Sequence, residues 1–124
     1  MSELRDRAID IVKKMEEQEE PLKDMVKKLE SLNGYNLAAS RMGEISRMIK
    51  LTIPYVEPSM KSLASFINTA SCDDEAVIED DINKLKYFVK LIDKAIDITE
   101  DMHALYSDID AIEKIADTLI TGGY

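Results

Sequence analysis

Over the first 33 residues the apolar positions form one seam: Leu4, Ala8, Ile11, Met15, Leu22, Met25, Leu29 and Leu32, with Gln18 as its one polar member. The spacings alternate between four and three residues without error. That is a heptad pattern, the signature of a helix lying along another helix. Ile9, Val12 and Val26 widen the stripe to the breadth a bundle requires. Pro21 falls inside the segment, yet the register passes it without slipping. One kinked helix therefore fits better than two helices joined by a loop. Gln18, one turn before the proline, is placed to offer its amide to backbone groups that the kink frees. Asn33-Gly34 then ends the helix with a residue suited to a left-handed cap.

A second helix is expected from Asn36, a plausible N-cap, to Ile53. Leu37, Ala38, Met42, Ile45, Met48, Ile49 and Ile53 make its buried side. Pro54-Tyr55-Val56-Glu57-Pro58 reads as a connector, because two prolines four apart disfavour helix. A short third helix follows, from Ser59 as its cap to Ala70, with Met60, Leu63, Phe66 and Ile67 on one face. Thr69 to Asp74 reads as a polar turn.

From Asp73 to Ile120 there are 48 residues without Gly or Pro. As one helix this segment would reach about 72 Å, against roughly 35 Å for a compact domain of this length. It therefore either turns back or projects to meet a partner. Its seam begins as Ile78, Ile82, Leu85, Val89, Ile92 and Ile96, then changes register to Ile98, Met102, Leu105, Ile109, Ile112, Ala116 and Leu119. The change falls at Asp93 to Thr99. A continuous helix needs a stammer there; a broken one would use Asp97 as N-cap with Glu100 closing a capping-box variant. The absence of Gly and Pro favours continuity. Either way the two halves face different neighbours.

These elements predict an all-α fold. It is an elongated helical bundle or hairpin of four to five helices, with long N- and C-terminal helices packed antiparallel in a coiled-coil-like manner. Residues 1–121 form a single domain, and Gly122-Gly123-Tyr124 is expected to fray. The composition agrees: 33% charged and 6% aromatic residues, no Trp, four Gly and three Pro among 124 residues.

The charge changes the picture more. The net −9 lies entirely in residues 62–124, which hold 14 acidic and 5 basic residues. Direct binding to nucleic-acid phosphates is therefore disfavoured, and a basic partner is favoured. No run of 18 apolar residues suggests a membrane helix, and Met1 to Asp6 lacks an apolar signal core. With a single cysteine, Cys72, the expectation is a cytoplasmic protein.

Candidate chemistry is sparse. Glu100 and His103 are three apart on one helical face, half of a ferritin-type metal motif. With one histidine per chain, only a symmetric oligomer would complete it. No metal, cofactor or catalytic residue is therefore assigned. Cys72 has no basic neighbour to activate it. The acidic patch Asp73, Asp74, Glu75, Glu79, Asp80 and Asp81 either complements a helix start or forms a solvated face. Seven methionines fill a core or line an adaptable groove.

The function expected is that of a non-enzymatic interaction or assembly protein. It would act through self-association, with a dimer favoured, and through binding a protein partner, with Leu85, Leu105, Ile109 and Ile112 as contact residues. Two alternatives stand beside it. One is a small acidic inhibitor occupying a basic or nucleic-acid-binding site on its target. The other is a ligand- or metal-binding bundle using Glu100 and His103.

Overall fold

The computed structural model describes residues 2–31, 37–69, 74–101 and 106–124. Five helices occupy them: α1 (Ser2–Glu17), α2 (Glu19–Ser31), α3 (Leu37–Thr69), α4 (Glu75–Asp101) and α5 (Tyr106–Thr121). Among the described residues there is no strand. The fold is an all-α bundle, as the periodicity predicts.

Only Gln18 separates α1 from α2. Its N–H still donates to the Lys14 carbonyl at 3.1 Å, and its carbonyl accepts from the Leu22 N–H at 2.9 Å. The two helices are thus one rod, interrupted beside Pro21, and the bundle has four rods. Side-chain contacts fix their directions. Arg7 meets Glu79 at 2.8 Å and Gln18 meets Asp93 at 2.8 Å, so the first rod runs parallel to α4. Ser59 bonds Asp81, and Arg5 donates to the Ile67 carbonyl, so α3 runs antiparallel to both. Lys94 pairs with Asp108 and Tyr124 reaches Asp80, so α5 is antiparallel to α4. The α3–α4 pair is central; the first rod and α5 each pack on both. Among the described residues the first rod and α5 do not touch, which corrects the expected antiparallel pairing of first and last helices.

The supposed connector at Pro54 and Pro58 lies inside α3, a helix of 33 residues, about 50 Å long. Spacing the prolines by four puts both on one face, and that face is exposed. The carbonyls they leave without an N–H donor, those of Lys50 and Pro54, lie along that side, where water can serve them. The opposite face buries Thr52, Val56, Ser59 and Leu63. Thr52 Oγ1 donates to the Ile49 carbonyl at 2.7 Å, so its burial leaves no unmet donor. Ser59 is accordingly not a helix cap but a buried mid-helix residue, 2% exposed.

The last segment is two helices, not one. α4 ends at Asp101 and α5 begins at Tyr106, beyond the expected break, and residues 102–105 lie outside the described set. The apparent register change has another cause. Toward its end α4 is buried on two sides at once: Val89, Ile92 and Ile96 continue the first seam while Leu91, Ala95, Ile98 and Thr99 fill a second. A central helix flanked by three others needs both stripes. Asp97, proposed as a cap, is an exposed mid-helix residue.

The seam residues Leu4, Ala8, Ile11, Met25, Ile45, Met48, Leu63, Phe66, Ile78, Ile82, Leu85, Ile112, Ala116 and Leu119 join one contiguous core. Asp74 Oδ1 accepts from the Ala76 N–H and caps α4. At the far end Gly122 adopts φ 77° and, with Gly123, donates to the Thr118 carbonyl. The tail expected to fray is docked: Tyr124 lies 6.2 Å from the Tyr87 ring, with Lys84 Nζ 5.7 Å from its centroid. The Asn33-Gly34 stop and the Asn36 cap lie outside the described residues.

Candidate functional site: an apolar groove between the first rod and α3

Three apolar residues assigned by periodicity to buried faces are exposed: Val26 at 43%, Ile53 at 43% and Met60 at 41%. Ile53 and Met60 line a cleft of about 670 Å³. One wall is Val12, Met15 and Leu22 of the first rod; the other is Ile53, Val56, Met60 and Ala64 of α3. Leu85, Phe88 and Ile92 of α4 form the floor. Val26 stands one turn beyond Leu22 on the same face.

Both walls carry proline. The first rod is interrupted at Gln18 beside Pro21, and α3 carries Pro54 and Pro58. Proline bends a helix at its own position. These prolines fall in the two rods that wall the trough. The residues preceding the α3 prolines, Ile53 and Glu57, both line it.

Gln18 fixes the first wall. It is 8% exposed, and its Nε2 donates to the Val89 carbonyl and to Asp93 Oδ1, each at 2.8 Å. Its amide therefore serves α4 rather than the backbone of its own rod, as first expected. Both amide hydrogens are used, so the interruption is held against the floor helix.

The lining carries three carboxylates, Glu16 and Glu19 on one rim and Glu57 on the other, and no cationic residue. Lys23 lies 3.6 Å from Glu19, and Lys61 3.6 Å from Glu57, as exposed pairs four residues apart along one helix. Such pairs contribute little and exchange readily.

The contact residues expected from sequence are placed differently. Leu85 and Ile112 are fully buried, Leu85 as the groove floor and Ile112 in the core beneath α5. Ile109 packs partly buried against that core. Leu105 lies outside the described residues. Most of the acidic patch has partners within the chain. Asp74 caps α4, Glu79 pairs with Arg7 at 2.8 Å, and Asp80 accepts from Tyr124 at 3.1 Å. Burial, with that hydrogen bond, raises the Tyr124 hydroxyl above the ordinary phenol range, while nearby Lys84 pulls the other way. Asp81 is not on a solvated face: it is 8% exposed and accepts from Ser59 at 2.8 Å, while its Oδ2 is buried with no protein partner. Glu75 is exposed in the first turn of α4, and Asp73 lies outside the described residues.

Glu100 is exposed and borders two smaller clefts beside Pro21. His103 and Cys72 lie outside the described residues. Among the described residues no three His, Cys, Asp or Glu side chains converge on a point where a metal could sit. No helix among them is long and apolar enough to cross a membrane. Comparison of the chain with protein-family models, curated proteins and solved structures finds no match.

Proposed function

We propose that this chain is a non-enzymatic interaction protein that binds a protein partner in the groove between its first rod and α3. The observation that carries the reading is the exposure of Ile53 and Met60 on the wall of a cleft whose floor is the buried core. Apolar side chains aligned along a concave surface mark a binding site more often than the same residues scattered singly. Met15 and Met60 face the cleft from opposite walls, and their flexible thioethers suit a surface that moulds to its occupant.

Self-association has lost its first support, because the long final segment folds back instead of projecting. The acidic-inhibitor reading is weakened by the internal partners of Asp74, Glu79, Asp80 and Asp81.

The test compares two faces of α3. Met60→Glu and Ile53→Gln alter the groove; Leu51→Glu and Tyr55→Glu alter exposed residues on the opposite side of the same helix. Affinity purification from the native host should recover a partner with wild type and with the Leu51 and Tyr55 variants, and lose it with the groove variants. A partner retained by folded groove variants contradicts the proposal.

A further inference from the structure

The groove's shape and charge identify its occupant, on the reading that it is the binding site. We infer that it takes a single amphipathic α-helix of a partner protein, with an apolar stripe on one face and Lys or Arg flanking that stripe on both sides.

Length and wall chemistry come first. From Val12 to Leu22 the first wall runs about 15 Å, and from Ile53 to Ala64 the second runs about 16 Å, at 1.5 Å per residue. That matches roughly three turns of helix. Both walls and the floor are helices whose backbone groups bond within themselves, so no strand edge is offered to an extended peptide. Recognition must come through side chains. An apolar stripe at i, i+4 and i+7 sets one anchor per turn along a trough of this length. The first rod and α5 cover the two flanks of the α3–α4 pair, and the trough runs along the seam between the first rod and α3.

Charge then selects among helices. The rims present Glu16 and Glu19 on one side and Glu57 on the other, with no cation in the lining. A helix seated between them brings flanking residues within reach of both rims, and cations there exchange for the weakly held Lys23 and Lys61. A second copy docked groove to groove would set these glutamates against themselves. A fatty acid would add its own carboxylate to them.

The probe is a synthetic helical peptide of about three to four turns, with leucines at i, i+4, i+7 and i+11 and lysines at every flanking position. Its counterpart carries glutamates in place of the lysines. Binding to the full chain is followed by fluorescence anisotropy and peptide helicity by circular dichroism. The basic peptide should bind saturably at one per chain, gain helicity, and bind at least about tenfold tighter than the acidic one. Glu16→Gln, Glu19→Gln and Glu57→Gln together should remove most of that discrimination while the apolar contribution persists. Met60→Gln and Ile53→Gln, which add no charge, should weaken the acidic and basic peptides alike; both positions are exposed, and a thermal melt confirms folding.

Equal or tighter binding of the acidic peptide would overturn the inference. So would basic-peptide binding indifferent to Met60→Gln and Ile53→Gln, since it would lie elsewhere. A dimer in sedimentation equilibrium that dissociates with Met60→Glu would also overturn it, with a second copy as the occupant. If neither peptide binds while the native partner is lost with the groove variants, the helix is the wrong occupant and the groove reading stands. If the partner survives those variants, the groove reading itself falls.

Discussion

The two flanks of the α3–α4 pair are built from the same residue types and end differently. On the α5 flank, Ile112, Ala116 and Leu119 are buried to 4% exposure or less and the core closes. On the first-rod flank, Val12, Met15, Leu22, Ile53 and Met60 remain half-buried or exposed around a trough. The flanks differ in where proline falls. No proline falls in α4 or α5. Proline falls in both rods that wall the trough. The first rod buries Leu4, Ala8, Ile11 and Met25, so both flanks contribute to the core, but only the first-rod flank borders the apolar trough.

The largest expected effect tests the shared floor. Leu85→Asp buries an unpaired carboxylate at a fully buried position, at a cost of several kcal/mol, comparable to a small domain's stability. The variant should be unfolded by far-UV circular dichroism; a normal melt would show that Leu85 is not buried.

One substitution made on each flank sharpens the contrast. Ile112→Ala should lose about 2–5 kcal/mol in urea titration, since it empties a closed site. Ile53→Ala, on the open wall, should lose less than about 1 kcal/mol. Similar losses would mean that the two flanks are equally closed.

The Ser59–Asp81 bond, between α3 and α4, separates charge from hydrogen bonding. Asp81→Ala leaves the buried Ser59 hydroxyl without its acceptor and should destabilise by about 1–3 kcal/mol. Asp81→Asn keeps an acceptor and removes a buried charge, so it should be less harmful than Asp81→Ala. The reverse order would mean that the charge itself is needed there. Smallest of all, Tyr124→Phe removes one exposed hydrogen bond to Asp80 and should shift stability by about 0.5 kcal/mol or less.

Much of this architecture is legible in the sequence. Leu4, Ala8 and Ile11, and Ile78 through Ile96, fall in the core as their periodicity requires. Other features are not legible, for physical reasons. Pro54 and Pro58 read as a break because local preference opposes helix; the buried face of Thr52, Val56, Ser59 and Leu63 overrides it. The break between α4 and α5 is announced by neither Gly nor Pro in the sequence. The groove is the hardest case. Ile53 and Met60 satisfy the same spacing as core residues, and periodicity cannot tell a face packed by this chain from one left for a partner. The available signal was indirect: prolines in both walls and methionines beside them.

A basic amphipathic helix seated in the trough would lie against Met15 and Met60. The methionines report it directly. Met15 and Met60 line the trough, whereas Met25 and Met48 are buried in the core. With ¹³C-methyl methionine, nuclear magnetic resonance titration with the leucine–lysine peptide should move the Met15 and Met60 methyl signals saturably and together, leaving Met48 nearly still. Saturable binding in which Met15 and Met60 do not move would contradict the account.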